Sequence, residues 1–431
     1  MSLSALLQAD SEKLESARKV WIGYSGGLDS TVLLHACVEL LGTSKVGALH
    51  LNHQLQEQAD EWCEHCENQA RALGIEFRSA RLNITNKGEG LESEARQLRY
   101  QFFRESLGEN ELLLLAHHAD DQAETLLYRL FRGSGVRGLS AIPEERLEGC
   151  GTLLRPLLSL TKQSLEDAAN SAGLVWIEDP SNTKSSYDRN YIRNQILPVI
   201  QERWPVAAKT MARASENLYS ATQLLDEYAE QLLIQCEWRQ ESVGYSFTIN
   251  SYESISEQAQ ALVLESALRQ QNLSGFDASL PLKVRLLIET TEDKEPLLRA
   301  SNTDIRRYSG RIFVMPKLPD SVDKSYSCMW DGLSTLQIVN CGKLLPLPSV
   351  SMESYSGNKM RISFRQGGER CKPLNRDKSQ SLKKLFQEYG LEPWLRDRTP
   401  LLWQGDQLIA AAGLFSCAEN LPAPQFQWQL Q

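Results

Sequence analysis

Residues 20–30 read Val20-Trp21-Ile22-Gly23-Tyr24-Ser25-Gly26-Gly27-Leu28-Asp29-Ser30. The run 20–24 is short and mostly apolar, the pattern of a buried strand. It ends at a serine and two adjacent glycines, which turn a chain sharply. The next residues, TVLLHACVELL at 31–41, carry helical apolar spacing. Strand, glycine turn and helix in that order leave backbone N–H groups and the positive end of a helix dipole around the turn. Gly26 and Gly27 let those amides close on a phosphate, and the Ser25 and Ser30 hydroxyls can donate to its oxygens. A carboxylate does not favour bare phosphate, so Asp29 predicts a bridging Mg²⁺. The expected occupant of Ser25, Gly26, Gly27, Leu28, Asp29 and Ser30 is therefore the phosphate chain of ATP. The GxxxxGK[ST] spacing of a Walker loop is absent.

Outward from this turn, strand and helix patterns alternate. Strands are expected at 46–51, 75–82 and 112–117, and helices at 57–73, 91–107 and 120–132, with Asp120 as N-cap of the last. Such alternation predicts an α/β fold: a Rossmann-like parallel sheet with helices on both faces. Ligands of such sheets bind beyond the carboxyl ends of the strands. The turn at 25–30, the stretch 50–53 and the stretch 117–121 all fall there. The segment 180–195 breaks the alternation. From 206 to 300 the pattern is mostly helical, 302–350 reads as short strands and turns, and 359–416 has strand signals at both ends with a helix near 380–389. Three domains are expected: 1–205, a mostly helical 206–340, and a small α+β domain at 350–431.

The fourth strand runs into His117-His118-Ala119-Asp120-Asp121-Gln122-Ala123-Glu124-Thr125. Asp121 and Glu124 are three residues apart, so a helix places both carboxylates on one face, a pair suited to Mg²⁺ or an ammonium group. Arg132-Gly133-Ser134-Gly135-Val136-Arg137-Gly138 is a basic loop suited to an anionic substrate. His50 and His53 end the second strand and either meet the nucleotide or serve the fold. Arg96 and Arg99 share a helix face, which contacts phosphate or RNA or is merely solvated. In the tail, 359–398 holds eleven Lys or Arg against five Asp or Glu, interleaved with Phe364, Phe386, Tyr389 and Trp394. That mixture fits an RNA-backbone surface.

The whole chain carries net charge −9 over 431 residues, which argues against bulk nonspecific nucleic-acid binding and leaves only a local basic face. No apolar run approaches the ~20 residues of a membrane span. The amino terminus lacks the basic and apolar regions of a secretory signal, so the expected location is the cytoplasm. Nine irregularly spaced cysteines argue against a disulfide framework. Cys63 and Cys66 form the single CxxC, without the further ligands a zinc or iron–sulfur site needs.

With these residues in place, the chain resembles the tRNA(Ile)-lysidine synthetase family of the PP-loop (N-type ATP pyrophosphatase) group. The turn 25–30 looks like that group's pyrophosphate loop. AHHADDQAETLLYRLFRGSGVRGL at 116–139, Arg155-Pro156-Leu157-Leu158, WIEDPSNTKSSYDRNYIR at 176–193 and the stretch 364–402 resemble four further blocks. The resemblance departs at 50–56, where Asn52 and Gln56 stand in place of an Asp and an Arg, so those positions receive no catalytic role.

The resemblance implies a ligase. ATP adenylates the C2 oxygen of the wobble cytidine in a CAU-anticodon isoleucine tRNA, and free L-lysine then displaces AMP to give lysidine. The residues it implies are Asp29, Asp121 and Glu124 for catalysis, with Asp29 toward Mg²⁺ and Asp121 and Glu124 holding lysine. Arg132, Arg137, Arg189 and Arg193 are expected toward the anticodon stem-loop, and Arg370, Lys383 and Lys384 toward the rest of the tRNA. Two competing readings are a PP-loop tRNA thiolase using Cys63 and Cys66, and a non-catalytic tRNA-binding protein.

Overall fold

The structure is a computed structural model. It describes residues 2–52, 58–81, 91–178, 188–290, 296–319, 321–332, 334–345, 359–374, 376–417 and 428–429. His53, Gln56 and much of the 176–193 block lie outside these described residues. The chain divides into two compact units, 1–224 and 225–431.

In the first unit the strands are β1 (Lys19–Gly23), β2 (Val46–Asn52), β3 (Glu76–Arg81), β4 (Glu111–Leu114), β5 (Glu145–Glu148) and β6 (Gly151–Leu154). They form one sheet in the order β3-β2-β1-β4-β6-β5. All neighbours are parallel except β5 with β6. Alternation along the strands builds two apolar faces. Val20, Ile22, Val46, Ala48, Leu112 and Leu114 point to one, where the helices Leu28–Leu41 and Lys162–Ser171 pack. Trp21, Leu49, Leu51 and Leu113 point to the other, beneath Tyr100 and Phe103 of the helix Leu91–Ser106. A sheet covered on both sides needs apolar residues at successive positions, which explains why all of β2 is buried. Gly47 is required by the packing: a Cβ there would lie 2.5 Å from the Trp21 ring.

β1 lies between β2 and β4, the place where the strand order reverses. Two carboxyl-end turns therefore diverge and leave a crevice between them. The antiparallel pair β5–β6 was not foreseen from the sequence, since four-residue strands carry too little periodicity.

The second unit opens within the helix Ala207–Gln235. The helices Ile249–Ser254, Glu257–Gln270 and Leu280–Glu289 realise the expected helical middle. They pack on an antiparallel sheet ordered β7 (Arg239–Gln240), β8 (Tyr245–Thr248), β11 (Arg311–Pro316), β10 (Thr303–Tyr308) and β9 (Leu297–Ala300). A second sheet joins β12 (Ser327–Trp330), β15 (Met360–Ser363), β18 (Leu401–Gln404), β19 (Gln407–Ala411) and β20 (Phe415–Ser416). Smaller pairings unite β13 (Leu336–Ile338), β14 (Gly342–Leu344) and β21 (Trp428–Gln429), and β16 (Arg370–Cys371) with β17 (Gln380–Ser381). β11 faces both ways. Ile312 and Val314 enter the helical core, while Phe313 and Met315 join Leu382, Leu385, Phe386, Leu401 and Phe415.

Candidate active site

The glycine turn after β1 is held by its own side chains. Ser25 Oγ lies 3.0 Å from Ser30 Oγ, the Gly27 N–H donates to Ser25 Oγ at 3.3 Å, and Ser30 Oγ donates to the Gly27 carbonyl at 3.1 Å. Gly26 has φ +81°, a left-handed conformation that disfavours any side chain. A Cβ there would also meet Cys66 Sγ at 2.9 Å and Ile177 Cδ1 at 3.1 Å. The Ile177 N–H donates to the Gly26 carbonyl at 2.9 Å, so a distant segment clamps the turn from outside. The helix then starts at Leu28.

Across the crevice the helix Ala119–Phe131 begins after β4. Its N-cap is His118, not Asp120: the His118 N–H donates to Asp121 Oδ2 at 3.0 Å. Asp120 is drawn instead to the next helix, accepting the Lys162 N–H at 2.8 Å. The His118 ring sits among three carboxylates, with Nε2 3.6 Å from Asp29 and 3.5 Å from Asp121, and Nδ1 3.6 Å from Asp120. Burial alone would lower its pKa, but Asp120, Asp29 and Asp121 together raise it to about 10. His118 is an imidazolium.

Its neighbour is the opposite case. Burial, joined by the charges of Arg155, Arg189 and Arg99, outweighs Asp121 and pushes His117 down to about 3. Arg155 Nε donates to His117 Nδ1 at 3.1 Å, so the ring is neutral and its single proton sits on Nε2. Against the cost of burial, the His118 charge, the His118 N–H and Arg189 hold Asp121 below the usual carboxylate range.

Asp121 and Glu124 do share a face, as their spacing predicts, and Glu124 is 1% exposed. Both are occupied by guanidinium groups. Arg193 Nε donates to Glu124 Oε1 at 2.5 Å, and its Nη2 to Glu124 Oε2 at 2.9 Å and Asp121 Oδ1 at 3.2 Å. Arg189 adds Nε to Glu124 Oε2 at 3.3 Å. Four carboxylates (Asp29, Asp120, Asp121, Glu124) thus face three cations (His118, Arg189, Arg193), one negative charge in excess. Asp29 Oδ1 is buried and has no hydrogen-bond partner.

One cavity of about 1220 Å³ takes in the turn, the acidic pair, Arg193, His50 and Arg99. His50 has a structural partner as well: its Nδ1 donates to the Tyr24 carbonyl at 2.9 Å, joining β2 to β1. Arg96 and Arg99 stack on Tyr100, their guanidinium carbons 5.0 and 5.6 Å from the ring centroid. Outside this cavity, Arg132 is exposed and lies over the Tyr128 ring, and Arg137 is half-buried. Arg370, Lys383 and Lys384 are exposed in the second unit, with Arg370 donating to the Ser379 carbonyl and Lys384 3.8 Å from Glu388. Cys66 is buried and burial raises its thiol to about 12, far from a reactive thiolate.

The sequence reading did not single out His118, Arg155 or Ile177. His118 adjoins Asp120 and Asp121, and that crowding of carboxylates was the available signal. Ile177 gave none, because its role is a main-chain contact between distant segments.

A doubly covered parallel sheet with a serine–glycine turn and an acidic helix start at its switch point defines a PP-loop ATP-binding unit. The family model described as a PP-loop domain matches residues 2–200, and the TilS substrate C-terminal domain matches residues 360–431. A tRNA(Ile)-lysidine synthase of Coxiella burnetii is 35% identical over 96% of this chain and 93% of its own. Those of Shigella flexneri and Methylococcus capsulatus are 36% and 34% identical, over 97% and 91% of this chain and 98% and 90% of their own. The chain belongs to the tRNA(Ile)-lysidine synthase family. Relatives of that name over nearly the whole length support the ligase reading and not the thiolase one. Among the described residues no helix is long and apolar enough to cross a membrane.

Proposed function

We propose that this protein ligates lysine to C2 of the wobble cytidine of a CAU-anticodon isoleucine tRNA, with ATP giving AMP and pyrophosphate. The product, lysidine, pairs with A instead of G and changes the tRNA's amino acid from methionine to isoleucine. The observation that carries the reading is a buried acidic pair that binds a cation in the same cavity as a phosphate-shaped turn. ATP takes its phosphate chain to residues 25–30, where the amides and the Ser25 and Ser30 hydroxyls meet it. Asp29 Oδ1, buried without a partner, fits a divalent cation. Asp29 would hold Mg²⁺ there, and the ion would supply positive charge toward the leaving pyrophosphate.

The C2 oxygen attacks the α-phosphorus and pyrophosphate leaves. Asp121 and Glu124 then hold lysine, and an ammonium group entering that pair takes the place of the Arg193 guanidinium. The amine attacks C2, loses a proton and expels AMP, so positioning by the pair lowers the barrier. His117 is a poor base for that proton, being held near pKa 3 with its acceptor nitrogen engaged by Arg155.

Residues 1–205 form the catalytic domain in this reading, with 206–340 and 350–431 binding tRNA, all in the cytoplasm. Arg132 and Arg137 face the anticodon stem-loop. Arg189 and Arg193 exchange carboxylate for tRNA phosphate when the tRNA arrives, which vacates the lysine pair. Arg370, Lys383 and Lys384 grip the acceptor side. The test is mass analysis of the wobble nucleotide after incubation with ATP, lysine and the minor isoleucine tRNA. The expected result is a lysine-sized gain, and an unmodified cytidine in folded, ATP-binding protein would overturn the reading.

A further inference from the structure

The second unit holds a pair of sulfur atoms that plays no part in this chemistry. Cys371 on β16 and Cys417 just past β20 are joined as a disulfide, their Cα atoms 6.4 Å apart and 46 residues apart in sequence. The number and spacing of the cysteines argued against a disulfide framework; among the described residues one bridge stands beside seven free thiols. An isolated bridge in a chain otherwise rich in free cysteine is the pattern of exchange chemistry rather than of a stapled scaffold. Both sulfur-bearing residues line an open cavity of about 660 Å³, whose charged lining is Arg370, Lys372, Glu369 and Asp406. Cys371 is 6% exposed and Cys417 half-buried, so a small charged thiol or disulfide reaches the pair from the Cys417 side.

The bridge adds a covalent link between two parts that otherwise meet through the apolar cluster of Cys371, Leu382, Leu408 and Phe415. On one side is the hairpin β16–β17, with only two residue pairs, Arg370 with Ser381 and Cys371 with Gln380. It carries Arg370, Lys372, Arg376 and Lys378 against the single carboxylate Asp377. On the other side is the five-stranded sheet, where Cys417 donates its N–H to the Ile409 carbonyl at 2.7 Å. The hairpin's tip is otherwise tied to this sheet by the Leu374 N–H on the Ser416 carbonyl at 3.1 Å. The following helix, Leu382–Glu388, keeps its own apolar anchor through Leu382, Leu385 and Phe386. Opening the bridge thus loosens the basic hairpin without removing the core beneath the helix.

We propose that Cys371–Cys417 is a thiol–disulfide exchange site for low-molecular-weight thiols, and that its oxidised form fixes the basic hairpin for RNA binding. In the closing direction one protein thiolate attacks a small disulfide such as oxidised glutathione, giving a mixed disulfide and one glutathione. The second cysteine thiolate displaces the other glutathione. Two protein thiols are oxidised, one glutathione disulfide is reduced to two thiols, and the two protons pass to them. The exchange itself is independent of the proposed function, while its effect on tRNA rests on that reading.

The experiment uses the full-length protein equilibrated across a series of reduced-to-oxidised glutathione ratios. Free thiols are alkylated, the bridge is reduced and labelled with a second reagent, and each cysteine is mapped by mass spectrometry. Cys371 and Cys417 are expected to lose and regain alkylation together, ahead of the other seven cysteines. Affinity for minor isoleucine tRNA at fixed salt is expected to fall about three- to tenfold on reduction, because an ordered hairpin loses less freedom on binding. C417S is expected to keep the reduced-form affinity at every ratio, and C371A, which removes the partner instead, the same. Independent alkylation of the two cysteines, a bridge that resists glutathione throughout, or an affinity that ignores the ratio would each overturn the proposal. If the chain has no lysidine-forming activity, the thiol map still reads the exchange on its own.

Discussion

At the carboxyl ends of β1 and β4 the first unit gathers four carboxylates and three cations into one ion-paired cluster, with Glu124 1% exposed and His118 4%. The second unit carries its charge differently: Arg370, Lys383 and Lys384 stand in solvent, supported by short strands and a two-turn helix. The first arrangement fixes each charge by its neighbours, so removing one strands another in a poorly solvated place. The second is additive, because water screens each cation from the next. Chemistry at a single atom calls for the first, and sliding contact with a polyanion is served by the second.

The contrast can be broken most directly at Asp29. D29A is expected to reduce pyrophosphate release by on the order of a hundredfold or more, with tRNA affinity nearly unchanged in a filter-binding assay. An equal loss of tRNA affinity would mean that the two units do not divide the work. Next in size, D121A or E124A should raise the apparent KM for lysine by about ten- to a hundredfold, the equivalent of one or two charged hydrogen bonds, while the KM for ATP stays within a small factor. Steady-state kinetics with each substrate varied in turn reads this, and an unchanged lysine dependence sinks the ammonium assignment.

In the second unit the effects should be smaller and should add. R370A, K383A and K384A together are expected to lower the slope of log affinity against log salt by about 2–3, at ~0.7–0.9 per phosphate contact. Deleting residues from 351 onward is a poorer test. It would strip Phe313 and Met315 of β11 of their partners Leu382, Phe386 and Leu401.

The smallest effect is on stability and follows from His118. Its folded-state pKa of about 10 lies above the ordinary 6.5, so the imidazolium's contribution is full below pH 6.5 and is lost as pH rises through 10. In chelator, H118Q should flatten the fall of Tm between pH 7 and pH 10 by a few degrees. A parallel pair of curves for the two proteins would remove His118 from its role as the charge between Asp29 and Asp121.

What the sequence made legible is what lies close together along the chain. Residues 25–30 and 117–125 each hold their donors, carboxylates and helix start within a few positions, and the alternating strands set both at one edge of the sheet. The rest depends on residues far apart. Nothing near Gly26 announces Ile177, nothing near Glu124 announces Arg193, and the opposite protonation of His117 and His118 draws on burial and on Arg155 and Asp29 from other elements as well as on the adjacent Asp120 and Asp121. The small strands β5, β6, β7 and β8 were silent for another reason, since two to four residues cannot display a period.

The main-chain bond from Ile177 to Gly26 bears on how the protein is made. During synthesis the turn at 25–30 emerges long before residue 177. Until that segment arrives, the Gly26 carbonyl lacks its main-chain partner, keeping only the Thr31 hydroxyl at 3.4 Å, and Cys66 alone walls the glycine. A nascent chain halted at the end of β4 contains every residue of the turn and its internal serine hydrogen bonds, yet lacks the outer clamp from Ile177. The full set of contacts around the turn is complete only once the chain has reached residue 177, an order set by the sequence and by no added component.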